Sequence, residues 1–148
     1  KIDLDDLFCE RKPYGLFTQY SQSKLANILF TTELRRREEQ NDGLVDAYCI
    51  HPGMVRTNVV KNLGNFLRYG DEFFGPFIVA PMQKTPEAGA YTSVYCAVAS
   101  KDMLQNEQTC NTMYFVNSQM QPLKPCAQDD EGAKKLWELT EKVVERFM

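Results

Sequence analysis

The chain has 148 residues, 43% of them apolar and 25% charged, with a formal net charge of −3. That is enough chain for one small domain, and the charge balance argues against a nucleic-acid partner. Five cysteines without a C-x-x-C argue against a disulfide framework or a zinc site, and no apolar run reaches the ~18 residues of a membrane span.

Residues 1–19 read as an irregular approach. Ile2–Leu7 suits a short helical turn, and Pro13 and Gly15 then break regular structure. Asp3, Asp5 and Asp6 read as a solvated loop, because the rest of a calcium-binding pattern is missing. A helix is predicted from Thr18 or Gln19 to about Gln40, with Leu25, Ile28, Leu29 and Thr32 at helical spacing. Arg35-Arg36-Arg37 reads as its solvated end, where cations suit the negative end of the helix dipole. Asn41-Asp42-Gly43 should stop the helix, with Gly43 suited to a left-handed cap.

Leu44–Ile50 is nearly continuous in apolar residues and predicts a central parallel strand covered on both faces. His51-Pro52-Gly53 follows it at once. Ligands of open parallel sheets bind beyond the carboxyl ends of strands, where Pro stiffens the exit and Gly lets backbone come close. His51 is the lone histidine, has no triad or metal partner in the sequence, and reads as structural. Residues 59–82 are irregular and rich in aromatics. Three readings stay open for them: a lid over an apolar substrate, a patch touching membrane, or ordinary packing of a short helix.

Thr85-Pro86-Glu87 is a helix start, with Thr as N-cap, Pro in the first position and an acid in the first turn. That helix should run to about Ala99, and its small residues Ala88, Gly89, Ala90 and Ala97 permit close packing. Asn111–Val116 predicts a further strand, and 121–128 a proline-containing loop. Asp129-Asp130-Glu131 opens a last helix, with Ala133, Leu136, Trp137, Thr140, Val143, Val144 and Phe147 at helical spacing and Trp137 as a core anchor.

Tyr20 and Lys24 stand four apart on the first helix and so share a face. A nearby cation favours the phenolate of a tyrosine, and a tyrosine tuned this way can pass a proton to or from a substrate hydroxyl or carbonyl. In a chain with seven tyrosines and ten lysines the spacing by itself is a frequent coincidence. Context decides. Tyr20-Ser-Gln-Ser-Lys-Leu-Ala-Asn-Ile-Leu-Phe30, His51-Pro-Gly-Met-Val-Arg-Thr57, Lys84-Thr-Pro-Glu-Ala-Gly-Ala90 and Leu136-Trp-Glu-Leu139 resemble the short-chain dehydrogenase/reductase family, most closely its retinol-dehydrogenase-like branch. The resemblance covers nearly the whole chain but only the C-terminal half of that family's domain.

It implies an α/β fold in which 1–148 form the C-terminal half of a single Rossmann-type domain with a doubly wound parallel sheet. It implies an oxidoreductase that interconverts an alcohol and a carbonyl with NAD or NADP, on an apolar substrate such as a retinoid, steroid or lipid-derived compound. Tyr20 would be the acid/base, and Lys24 would activate it and hold the nicotinamide ribose. Pro52, Gly53 and Val55 would border the nicotinamide, and Thr57 would reach its carboxamide or the pyrophosphate. No metal is implied. A homodimer through the Tyr20 helix, membrane association, and a cytoplasmic or endoplasmic-reticulum setting are the further expectations.

The family's Gly-rich phosphate loop and catalytic Ser are expected upstream of Lys1, so the chain alone should neither bind a dinucleotide tightly nor turn over substrate. The family usually has a Gly ahead of the later strand, where this sequence has Cys110 and Asn111. Two other readings remain: a sugar epimerase or dehydratase, which also uses Tyr-x-x-x-Lys, and a non-catalytic scaffold of the same fold.

Overall fold

The computed structural model describes residues 1–55, 83–105 and 114–148. They fall into two compact units. The first holds Lys1–Cys49, Tyr114 and Gln121–Met148. The second holds 50–55, 83–105 and Phe115–Met120.

The first unit is built on two helices, α1 (Leu16–Gln40) and α4 (Asp130–Val144). Helix α1 starts two residues before its sequence signal, because Gly15 serves as N-cap and its carbonyl accepts the Gln19 N–H at 2.8 Å. Gly43 ends it as expected, at φ +57°, and its N–H reaches the Glu38 carbonyl at 2.7 Å. The Asp129 carboxylate caps α4 by accepting the Gly132 N–H at 2.9 Å. Leu29, Ala133 and Leu136 are buried between the two helices, with Ile2, Leu4, Leu7, Leu25 and Ala26 packed around them. Phe30 stacks on Trp137, with centroids 4.9 Å apart and planes 14° from parallel, and Trp137, expected as a core anchor, is half-buried and stands outside the buried cluster.

Two expectations in this unit need correction. The Asp3/Asp5/Asp6 segment is not simply solvated. A 3-10 turn spans Leu4–Asp6, Asp6 is buried, and its carboxylate accepts the N–H groups of Glu10, Arg11 and Lys12 at 2.8–3.2 Å. Burial would raise its pKa, but the three N–H groups outweigh that and hold it below the usual value. The arginine run is also more than a solvated end. Glu33, only 1% exposed, accepts hydrogen bonds from Arg36 at 2.6 and 2.7 Å and from Arg37 at 2.8 Å. Arg37 also lies over the Trp137 ring, 4.7 Å from its centroid.

A small sheet has the order β1 (Cys49–His51), β2 (Tyr114–Val116), β3 (Gln119–Met120), with all but the first residues of β1 and β2 in the second unit. Strand β1 is much shorter than the Leu44–Ile50 reading. Leu44 is 90% exposed and Val45 is exposed, so an apolar run there did not become a covered strand. A strand exists only where a neighbour pairs with it, which an apolar run cannot specify. Of the Asn111–Val116 reading, Tyr114–Val116 is observed and 111–113 lie outside the described residues. Strands β2 and β3 pair antiparallel, Phe115 with Met120 and Val116 with Gln119. Asn117 and Ser118 join them at φ +53° and +59°, the left-handed pair that a two-residue hairpin turn needs.

Helix α2 (Pro86–Val98) begins as its cap signal requires, the Thr85 hydroxyl accepting the Ala88 N–H at 3.2 Å. Its buried Thr92 accepts the Ser118 N–H at 3.2 Å, and the Tyr95 ring meets Phe115 at a tilt of 59°, so the hairpin is fastened to α2. A short helix α3 (Lys101–Gln105) follows. Inside the proline-containing 121–128 loop, a 3-10 turn covers Pro125–Ala127.

Candidate active site

Tyr20 and Lys24 sit one turn apart near the start of α1. The Lys24 ammonium stands over the Tyr20 ring, 5.3 Å from its centroid. Both side chains are exposed, Tyr20 at 58%. The helix presents this pair because its apolar residues, from Leu25 and Ala26 to Leu29, turn toward α4 instead. Phe8, Tyr14 and Phe17, on the approach to and first turn of α1, are exposed aromatics. The chain between them is drawn tight by the three N–H groups that bond the Asp6 carboxylate, by the Lys12–Asp3 ion pair, and by the Asp3 N–H on Gln22 of α1 at 2.7 Å. The approach is therefore an ordered loop and not a loose leader.

Pro52, Gly53 and Val55 form the exit turn of β1 in the second unit. Gly53 has φ +84°, a backbone state that side chains resist, so glycine is required here by geometry. Its N–H donates to His51 Nδ1 at 2.9 Å. The Lys84 side chain runs across the same glycine: a Cβ on Gly53 would lie 3.2 Å from Lys84 Cε and Nζ. The Lys84 ammonium hydrogen-bonds the Asn117 side-chain oxygen in the hairpin turn. Lys84 N–H donates to the Met54 carbonyl at 2.7 Å, and Val55 and Lys84 form an isolated parallel bridge. Val55 packs against α2 at Gly89, where a Cβ would come within 2.5 Å of its methyl. Gly89 is thus a close-packing residue, as the small-residue stretch suggested.

The expected site residues separate into two groups, Tyr20 with Lys24 in one unit and Pro52, Gly53 and Val55 in the other. Thr57 and the aromatic 63–79 segment lie outside the described residues. Lys84 and Asn117 were not foreseen as neighbours of the Gly53 turn. They stand 33 residues apart, and no local pattern could join them. His51 is exposed, and its Nδ1 accepts the N–H of the glycine two residues on.

The Cys49 thiol is buried, points at the Asn27 carbonyl at 3.8 Å, and is pushed up by that burial, away from the reactive thiolate. Among the described residues no cluster of His, Cys, Asp or Glu could hold a metal, and no helix is long and apolar enough to cross a membrane.

No family model matches the chain, and neither does any solved structure. Curated proteins do. Human retinol dehydrogenase 14 is 36% identical over 97% of this chain, and human retinol dehydrogenase 12 is 34% identical over 95% of it. A bovine protein, dehydrogenase/reductase SDR family member 13, is 32% identical over 84% of it. The chain belongs to the short-chain dehydrogenase/reductase family. It sits with that family's retinol dehydrogenases, as the motifs implied, and spans about 40% of the length of the two human relatives. An α/β, Rossmann-like fold goes with this family, and the helices and small sheet described above are consistent with it.

Proposed function

We propose that the protein carrying this chain is a nicotinamide-dependent oxidoreductase that interconverts an alcohol and a carbonyl. Its substrate would be apolar, of retinoid, steroid or lipid-derived type. The observation that carries the reading is the exposed Tyr20–Lys24 pair in a chain homologous to retinol dehydrogenases. Among the described residues this is a phenol with a cation held beside it and with solvent access to both, which suits proton exchange with a bound hydroxyl or carbonyl.

In this reading the 148 residues are the C-terminal half of one Rossmann-type domain whose sheet is doubly wound and parallel. NAD or NADP, when bound, supplies the hydride chemistry. The residues at hand fit such a ligand locally: Pro52 is exposed, Gly53 half-buried, and the turn has a backbone shape reserved for glycine. Pro52, Gly53, Val55 and Thr57 would hold the nicotinamide side, and Lys24 the ribose hydroxyls. Tyr20 Oη gives its proton to the carbonyl oxygen in reduction and takes the hydroxyl proton in oxidation.

The test is Tyr20→Phe in the protein expressed from its complete reading frame. Turnover of a long-chain or retinoid aldehyde should fall by on the order of 10²–10⁴, with NAD(P)H affinity held within a few fold, because the phenol oxygen serves proton transfer and little ground-state binding. Near-normal turnover would reject the role. A substrate panel in which small polar sugars exceed long-chain aldehydes in kcat/KM would reject the apolar substrate and favour an epimerase-like site.

A further inference from the structure

The exposed face of α1 carries more than the Tyr20–Lys24 pair. Residues three, four or seven apart on a helix share a face, so Phe17, Tyr20, Lys24 and Asn27 form one stripe. All four are exposed, Phe17 at 70% and Tyr20 at 58%. At a rise of ~1.5 Å per residue the stripe is about 15 Å long. Its chemistry changes along that length. A benzyl group stands at the N-terminal end, then a phenol, then an ammonium, then an amide.

The fold makes no use of the Phe17 ring. The core lies on another face of the helix, where Leu25, Ala26 and Leu29 turn toward α4. The first turn is closed by backbone, with Gly15 as N-cap and its carbonyl accepting the Gln19 N–H at 2.8 Å. The other phenylalanine of α1 behaves differently: Phe30, 43% exposed, stacks on Trp137. Phe17 makes no ring contact among the described residues. A single exposed aromatic is ordinary on a protein surface. This one stands a single turn from a phenol and a cation, on their face, and so adjoins the place where the reacting atoms would sit.

The order along the stripe separates the two ligands. In the mechanism proposed above, Lys24 holds the nicotinamide ribose and Tyr20 exchanges a proton with the reacting oxygen. The cofactor then lies toward the C-terminal end of the stripe. The substrate, on the other side of the proton-transfer point, extends toward the N-terminal end. We propose that Phe17 is a specificity-determining residue: its ring receives the apolar body of the alcohol or carbonyl substrate, one helical turn from the phenol that serves the reacting oxygen. The proposal rests on the reading of Tyr20 and Lys24 as the catalytic pair. It requires a hydrocarbon chain or ring system reaching at least about 5 Å from the reacting carbon, the rise of one turn. Propanal is too short to reach the ring, and decanal or a retinoid aldehyde is long enough.

Kinetics of the complete protein on these aldehydes test it. Phe17→Ala should lower kcat/KM for decanal and the retinoid aldehyde by about 10- to 100-fold, mostly through KM, the worth of one aromatic side chain taken out of water. Its kcat/KM for propanal, its Kd for NAD(H) or NADP(H) and its melting temperature should match wild type, since the ring serves neither cofactor nor core. Phe17→Tyr, which keeps the ring, should keep the wild-type preference for long substrates. Equal losses on propanal and decanal, or no loss on either, in an enzyme that Tyr20→Phe inactivates would overturn the proposal and leave the catalytic pair standing. Weakened cofactor binding in Phe17→Ala would reverse the two ends of the stripe and overturn it as well. Near-normal turnover in Tyr20→Phe, or none in the wild type on any of the three aldehydes, would remove the catalytic reading and the proposal with it.

Discussion

The two ends of α1 do opposite work. Its first turns leave Phe17, Tyr20 and Lys24 exposed. Its later turns bury Leu29 and Glu33, stack Phe30 on Trp137 and lay Arg37 over the same indole. One helix thus carries an exposed end, where the proposed catalytic pair stands, and a packed end. Groups that must meet a ligand cannot also be spent in the core, so stability gathers where reactivity does not. The lesson is a separation: changes at Tyr20 or Lys24 should alter turnover at nearly constant stability, and changes at Leu29 or Glu33 should do the reverse.

The sharpest break of that separation is Lys24→Ala. In the proposed mechanism one ammonium serves both the phenol and the ribose, so turnover should fall by on the order of 10²–10⁴ and cofactor affinity should fall with it, at an unchanged melting temperature. Lys24→Arg should also fail, because a planar fork does not replace a compact point charge. Steady-state kinetics, NAD(P)H titration and a thermal melt decide it together, and unchanged affinity in the alanine variant would take Lys24 out of the site.

At the closed end, Leu29→Ala should cost about 2–5 kcal/mol, since it empties a packed position against Ala133 and Leu136. Denaturant unfolding measures this, and activity below the new melting temperature should survive.

Glu33→Gln should have a smaller effect, about 1–3 kcal/mol, because the guanidinium groups of Arg36 and Arg37 are partly exposed and can turn to water. Its pH dependence is specific. Hydrogen bonds from Arg36 outweigh burial and, with Arg37, hold the Glu33 carboxyl at about 2, against 4.5 ordinarily. A lowered folded-state pKa stabilises above the unfolded value, and that contribution is lost as pH falls from about 4.5 through about 2. Wild-type stability should therefore drop across that window more steeply than that of the Gln variant. Parallel curves would show that the cluster contributes nothing net.

The helices were legible because their signals are local. Thr85-Pro86 and Asp129 cap helices with their own side chains, and Gly43 ends one by backbone freedom, all within a few residues of the structure they set. The Tyr20–Lys24 pairing is local in the same sense, one turn of one helix. The tertiary structure alone decided the rest. Leu44–Ile50 reads as a strand throughout, yet only Cys49–His51, with Ile50 inside it, forms one, because pairing belongs to the neighbour and not to the segment. Asp6 reads as solvated and is buried, because three later N–H groups fold back on it. Lys84 reads as one more surface cation, and it lies on Gly53 because Asn117 holds its far end. Composition and spacing determine which segments can be helix and which residues could be reactive. Which polar groups are buried, and against what, is settled only when distant segments meet, because burial and hydrogen bonding are properties of pairs.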